Sequence, residues 1–323
     1  MLPSFTYVRP GSLDEAVRLA TAPGARLHGG GTDLLGCLRD GVFAAESVVS
    51  LQGVSELRGI VATADGGVRI GALATLSEIA GSPLIRDAYR ALAEGAAAAA
   101  SPQLRNQGTL GGNLCQRPRC WYFRGEFHCA RKGGETCFAA AGENQYHCIF
   151  GGETCFIVHP SDTAPALVAL DARARIAGPS GRRTVPLESF FVPPSRDFTR
   201  ETVLAPGEIL TDVVLPAPAS SSRSAYRKAR ARGSWDFALA GAAVALTLRA
   251  GVVESARVVL AGVAPVPWRV QAAEAALAGK KLDVAAARRA AEAAVVGAEP
   301  LSENGYKVAL VRGMVEETVL SLA

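Results

Sequence analysis

An α+β chain of two domains is the fold class that the sequence predicts, on three observations. Ahead of residue 216, short β-rich runs alternate with glycine turns and helical stretches. The Ser- and Pro-rich segment PAPASSSRS (216–224) interrupts that alternation. Behind it come β-rich runs and then two alanine-rich helical stretches. With 323 residues, 49% of them hydrophobic, the chain is long enough for two cores.

The segment RLHGGGTDLL (26–35) predicts a short strand, a triple-glycine turn and a helix start that Thr32 or Asp33 can cap. Bare N–H groups at such a turn suit an anion such as a pyrophosphate, although a GGGT run by itself is more often only a tight turn. A small first lobe ends near residue 55. The alanine-rich stretch 88–100 predicts a helix, and RNQGTLGGN (105–113) adds a second glycine-rich loop behind it. Two phosphate-friendly loops point to one extended dinucleotide held between subdomains. Neither has the G-x-G-x-x-G pattern after a strand, so an NAD-type βαβ site is disfavoured. TVPLESFFVPP (184–194) predicts a Pro-rich late loop. In the second domain, GAAVALTLRAGVVESARVVLAGVAP predicts a hairpin about an Ala-Gly turn. Two amphipathic helices follow, roughly 283–296 and 303–321, and a three-stranded sheet against helices is the expected module.

Six of the seven cysteines, Cys115, Cys120, Cys129, Cys137, Cys148 and Cys155, lie between TLGGN (109–113) and HPSD (159–162). Disulfide frameworks belong to short secreted chains, and MLPSFTYVRP is not a basic-then-apolar leader. Zinc ribbons present ligand pairs on tight turns, typically C-x2-C, and no such pair occurs here. Widely spread thiolates suit the larger body of an iron–sulfur cubane. Spacing alone leaves iron–sulfur ahead of zinc. HCARKGGETCF (128–138) and HCIFGGETCF (147–156) are near copies, so Cys129, Cys137, Cys148 and Cys155 form one candidate set of two matched pairs. Their glycines free backbone N–H groups that can turn toward sulfide, or simply form a turn. Cys37 reads as a small buried apolar residue. His128 and His147 adjoin cysteines and are expected to hydrogen-bond to sulfur or backbone rather than to ligate, His28 to meet a cofactor through its backbone, and His159 to be structural.

The net charge of +4 is mild, and beyond YRKARAR no basic and aromatic residues interleave, so nucleic-acid binding is unsupported. The apolar stretch FALAGAAVALTL (237–248) is shorter than the about 20 residues that span a bilayer, so no membrane anchor is expected.

Taken together, FTYVRPGSLDEAV, GGGTDLL, RIGALATLSEI, SPQLRNQGTLGGNL, HPSDTAPAL, GEILTDVVLP and YRKARARGSWDFALAG resemble the FAD-binding medium subunit of the molybdenum hydroxylases, the xanthine dehydrogenase family, over nearly the whole chain. The cysteine insertion resembles the subset that adds a [4Fe-4S] cluster, in periplasmic-type aldehyde oxidases and 4-hydroxybenzoyl-CoA reductases, with QRPRC and VPWRVQAAE closer to the aldehyde oxidase. The resemblance implies a two-lobed FAD-binding domain of the vanillyl-alcohol-oxidase-like (PCMH) type over residues 1–218, with lobes of about 1–55 and 56–218 and the insertion at about 115–156. A C-terminal domain, 222–323, resembles that of the CO dehydrogenase flavoprotein.

By the same resemblance, FAD falls on Arg26, Leu27, His28, Gly29, Gly30, Gly31, Thr32, Asp33 and Leu34, then on Ser101, Thr109, Gly111, Gly112 and Asn113. Asp162 of the SD pair is expected at a cofactor hydroxyl or phosphate-linked group through water. Ile209 or Leu210 is expected on the flavin side, and Lys228, with neighbouring Arg227 as the alternative register, near the isoalloxazine. The cluster ligands implied are Cys120, Cys129, Cys137 and Cys155, with Cys148 a possible substitute. No substrate-binding or catalytic residue falls on this chain. The resemblance places that chemistry on a large molybdenum-cofactor subunit, with a small subunit carrying two [2Fe-2S] clusters. Electrons then pass through FAD to an external acceptor, or in the reverse direction in the coenzyme A reductases. Two other classes are a zinc-binding assembly scaffold without redox activity and a free-standing flavin oxidase, which needs a longer substrate cap. Cytoplasm is the default location, with export on a signal-bearing partner as the alternative.

Overall fold

The strand and glycine-turn rhythm of the first fifty residues builds a small parallel sheet. The computed structural model describes all residues, Met1–Ala323. Strands β1 (Thr6–Val8), β2 (Ala25–His28) and β3 (Ser47–Ser50) pair in the order β1-β3-β2. Parallel neighbours need crossovers, which helices α1 (Leu13–Ala20) and α2 (Leu34–Arg39) supply. Ser12 starts α1 by accepting the Glu15 N–H, and Leu13 and Ala16 turn inward. Central β3 buries Val48 and Val49.

The next unit is an antiparallel sheet with helices stacked on it. Strands β4 (Ile60–Ala62) and β5 (Val68–Gly71) precede six short helices, α3 (Leu76–Gly81), α4 (Pro83–Ala88), α5 (Arg90–Ala98), α6 (Pro102–Gln107), α7 (Leu110–Leu114) and α8 (Trp121–Arg124). After α9 (Thr163–Ala169), strands β6 (Arg173–Gly178), β7 (Gly181–Pro186) and β8 (Ile209–Leu215) complete the order β4-β5-β8-β6-β7. Ile70, Leu92, Leu110, Leu167, Phe190 and Val213 share its core. Helix α5 can approach the start of α9 because Gly95 has no side chain. A Cβ there would lie 2.6 Å from the Asp162 carbonyl oxygen.

Strands β9 (Ser222–Ala229), β10 (Ala240–Arg249), β11 (Val252–Ala261) and β12 (Trp268–Arg269) form the last sheet, in the order β12-β11-β10-β9. The expected hairpin forms between β10 and β11, with Ala250 and Gly251 both at positive φ, 50° and 77°, as a type I′ turn requires. The sheet has four strands rather than the expected three, because β12 is two residues long and carries no alternation to read. Helix α10 (Gln271–Leu277) was likewise too short to predict, whereas α11 (Val284–Ala293) and α12 (Tyr306–Leu320) fall within the two predicted helical stretches. Alanines 286, 287, 290 and 291 and valines 311, 315 and 319 bury the helical faces against the sheet.

The N-terminal end of α12 grips the cysteine insertion. Lys307 is fully buried, and its ammonium donates to the carbonyls of Tyr146 (3.0 Å) and Gly262 (2.7 Å). Burial pushes its pKa down to about 7. Asn304 donates to the carbonyls of His147 and Cys148. Side chains also tie α5 to β9, with Ser224 accepting the Ala91 N–H and Glu94 accepting the Tyr226 N–H.

Replacing Gly95 with alanine forces α5 and α9 apart and is expected to cost about 1–3 kcal/mol. A thermal melt followed by circular dichroism reads this as a lower Tm; an unchanged Tm would mean that the approach is not a tight one.

Candidate functional site

The two glycine-rich segments meet backbone to backbone. A Cβ on Gly30 would lie 1.8 Å from the Gln107 carbonyl oxygen, and one on Gly29 would lie 2.8 Å from the Thr109 hydroxyl. Gly31 has φ +75°, so the turn needs glycine there on conformational grounds too. Gln52 fixes the turn by donating to the Gly29 carbonyl, and Thr109 starts α7 by accepting the Gly112 N–H. Asn113 accepts hydrogen bonds from Ser161 (2.5 Å) and Thr163 (2.6 Å), which joins the second loop to the SD segment. The expected residues 26–34, 109–113 and 162 are thus drawn into one region. Ser101 serves as the cap of α6, accepting the Leu104 N–H. His28 lies at the turn with its Nδ1 buried and unpartnered.

Asp33 corrects one expectation, since neither it nor Thr32 caps α2 through its side chain. Its carboxylate is drawn away by three donors of the insertion, the Arg117 N–H (2.8 Å), Arg124 (2.7 Å) and Arg119 (3.1 Å). Arg124 also donates to the Cys37 sulfur at 2.8 Å. The guanidiniums of Arg26 and Arg117 lie over the Phe43 ring, 5.1 and 5.7 Å from its centroid. Burial and then the neighbouring Arg117 charge lower the Arg26 pKa. Arg26, Arg117, Arg119 and Arg124 therefore gather near the glycine turn with Asp33 and Glu201 as the paired carboxylates. That leaves a cationic surplus suited to a pyrophosphate. Sequence reading named Arg26 and missed the other three; R-P-R ahead of Cys120 signals Arg117 and Arg119, and nothing local signals Arg124.

Asp162 and Lys228 form a buried ion pair at 2.8 Å, their side chains 5% and 4% exposed. Tyr226 donates to the other carboxylate oxygen at 2.7 Å. Burial raises the Asp162 pKa, and Lys228 and then Tyr226 oppose it. Strand alternation sends Arg227 to the opposite face, toward Glu94 and Glu317, so Lys228 is the residue aimed at Asp162. A cleft of about 360 Å³ opens beside Asp162, walled by Arg119, Trp121, His159, Arg232 and Phe237. Ile209 and Leu210 lie outside its walls, packed into two different apolar clusters.

Cys120, Cys129, Cys137 and Cys155 all line one small hollow, walled also by Tyr122, Phe123, Phe138 and Ile157. Cys137 and Cys155 are in mutual contact as a coupled pair. Their hydrogen bond lowers the Cys155 pKa, which Arg131 lowers further against burial, and the same bond together with burial raises that of Cys137. The His147 Nε2 lies 3.2 Å from the Cys120 sulfur, the sulfur contact expected of it. Cys148 is buried against Gly152 and does not line the hollow, and Cys115 packs on the main core. No group of three or more His, Cys, Asp and Glu side chains is gathered for a single metal ion. No helix is long and apolar enough to cross a membrane.

Residues 3–218 match the family model described as the FAD binding domain in molybdopterin dehydrogenase, and residues 224–322 match the CO dehydrogenase flavoprotein C-terminal domain. The chain belongs to the FAD-binding medium subunits of the molybdenum hydroxylases. It is 36% identical to the aldehyde oxidoreductase FAD-binding subunit PaoB of Escherichia coli, covering 96% of this chain and 95% of that one. It is 30% identical to the carbon monoxide dehydrogenase medium chain of Hydrogenophaga pseudoflava, covering 98% and 96%. The solved carbon monoxide dehydrogenase of that organism superposes with a TM-score of 0.79, at 30% identity over 99% of this chain and 97% of that one. Quinoline 2-oxidoreductase from Pseudomonas putida 86 gives 0.78, at 26% identity over 100% and 98%. Homologues of this chain are thus oxidoreductase subunits, and the chain carries their FAD-binding domain and mixed α/β fold.

Lys228→Met strands the buried Asp162 charge and is expected to cost about 3–5 kcal/mol, whereas Arg227→Met should cost about 1 kcal/mol or less. Urea unfolding of the two variants checks this, and equal losses would contradict it. His159 is fully buried against Phe191, and burial pushes its pKa down to about 4 from 6.5. The unfolded chain therefore takes up the proton first. The stability that His159 contributes is complete above pH 6.5 and falls as pH drops toward 4, by roughly 2 kcal/mol at pH 5. Urea midpoints at pH 7.5 and 5.0 should converge in His159→Leu relative to the parent chain; an undiminished pH slope would contradict the assignment.

Proposed function

We propose that this chain is the flavin-bearing electron-transfer subunit of an aldehyde-oxidising molybdenum hydroxylase, with a [4Fe-4S] cluster on Cys120, Cys129, Cys137 and Cys155. The observation that carries the cluster is the shared hollow, lined by these four cysteines and by none of the other three. A cubane meets its four thiolates from separate directions, and the anionic assembly suits a wall that holds the buried cation Arg131.

FAD supplies one- and two-electron transfer when bound. The turn Gly29–Gly31, with Thr109, Gly111 and Gly112, offers backbone N–H groups to its pyrophosphate, and Arg26, Arg117 and Arg119 offset the charge there. Asp162, oriented by Lys228 and Tyr226, presents a fixed acceptor at the cleft. Trp121, His159 and Phe237 wall that cleft and limit water around a ring system held in it. Identity to the aldehyde oxidoreductase relative favours an aldehyde over carbon monoxide or a purine as the substrate of the complex. That chemistry belongs to a large molybdenum-cofactor partner, reached through a small partner with two [2Fe-2S] clusters. This chain holds the exit toward an external acceptor.

The complex purified anaerobically should contain about one FAD in this chain, and about four iron and four sulfide beyond those of the small subunit. Cys155→Ser should lose that iron and sulfide while keeping FAD, and Gly30→Val should lose FAD while keeping the iron. Zinc without the extra sulfide, or joint loss of both cofactors in each variant, would overturn the assignment.

A further inference from the structure

Arg131 is the one cation in the wall of the cysteine hollow, and its side chain is only 1% exposed. Its Nε lies 3.5 Å from the Cys155 sulfur. Its Nη1 donates to Glu201, and its Nη2 is buried with no partner at all. An unpartnered guanidinium N–H in an apolar site is destabilising, so this one calls for an acceptor that the protein chain does not provide. The remaining wall is Tyr122, Phe123, Ala130, Phe138, His147 and Ile157, which carry no fixed charge to compete with it.

We infer that Arg131 is a positioning residue that sets the reduction potential of the cysteine-bound cluster by holding a permanent positive charge against Cys155. The inference rests on the cluster assignment above. Reduction adds one electron, taken from dithionite in a titration, and neither makes nor breaks a bond. The added negative charge stays in a low-dielectric site, where a cation in hydrogen-bonding range of a ligand sulfur favours the reduced form. Glu201, 8% exposed, partly cancels that cation and is itself shared with Arg117 at 2.9 Å. Charge at Glu201 therefore acts on the potential with the opposite sign. Arginine stays protonated at every working pH, so the positive charge that Arg131 itself holds there is permanent.

The test is a redox titration of the intact complex, following the cluster by electron paramagnetic resonance, with iron and sulfide counted in every sample. Arg131→Gln should shift the midpoint to a more negative potential, Glu201→Gln should shift it to a more positive one, and Arg131→Lys should stay near the parent value. Shifts of opposite sign are not produced by loosened packing, which would act alike in both variants. If Arg131→Gln loses its iron, Glu201→Gln and Arg131→Lys still decide. An unmoved potential in Glu201→Gln, a large negative shift in Arg131→Lys, or shifts of the same sign would overturn the inference. Absence of the extra iron and sulfide from the parent complex is a separate result, and it would overturn the cluster assignment itself.

Discussion

Asp33 receives three donors from one short stretch, the Arg117 N–H and the guanidiniums of Arg119 and Arg124, and this contact joins the two halves of the cofactor region. Arg124 on the Cys37 sulfur and Arg117 over the Phe43 ring hold the insertion to the same lobe. The carboxylate leads α2, so the turn that precedes that helix is set by the same bonds that set the start of the insertion. From Arg117 the contacts continue through Glu201 to Arg131 and the cysteine hollow. The proposed pyrophosphate site and the proposed cluster site are therefore neighbours in a single charged network. Because its members are largely buried, removing one strands the others, which makes the network a strong constraint on geometry even where its net stabilisation is small.

The C-terminal domain fixes the same insertion from behind. Lys307 and Asn304 satisfy the insertion carbonyls of Tyr146, His147 and Cys148, which a loop rich in glycine and cysteine does not pair by itself, and Lys307 also binds the Gly262 carbonyl of its own domain. A lysine with its pKa pushed down to about 7 is a costly way to do so. Its fully buried place at the start of α12 shows how closely the insertion and this domain are fitted together.

Features governed by the local backbone were legible in the sequence. The strand, glycine turn and helix at 25–39, the Ala-Gly hairpin and the two long C-terminal helices all follow from local chemistry. The gathering of Cys120, Cys129, Cys137 and Cys155 was legible only through family resemblance. The tidy repeat suggested Cys148 instead, but its two copies differ by one residue between their cysteines and do not fold alike. Cys148 turns away to pack on Gly152, its N–H paired with the Phe156 carbonyl. The arginine network was not legible, because Asp33 and its partners lie more than eighty residues apart and no local pattern records such a pairing. Asp33 read as a helix cap for the same reason: the local rule was sound, and a distant cation set outbid it.

An X-ray structure of the holo complex, with anomalous difference maps on both sides of the iron edge and at the zinc edge, tests the central claim most directly. Iron density enclosed by Cys120, Cys129, Cys137 and Cys155, with FAD density leading from the Gly29–Gly31 turn toward Asp162, is the predicted result. A zinc peak at these cysteines, iron held by Cys148 in place of one of them, or FAD placed away from both glycine loops would contradict it.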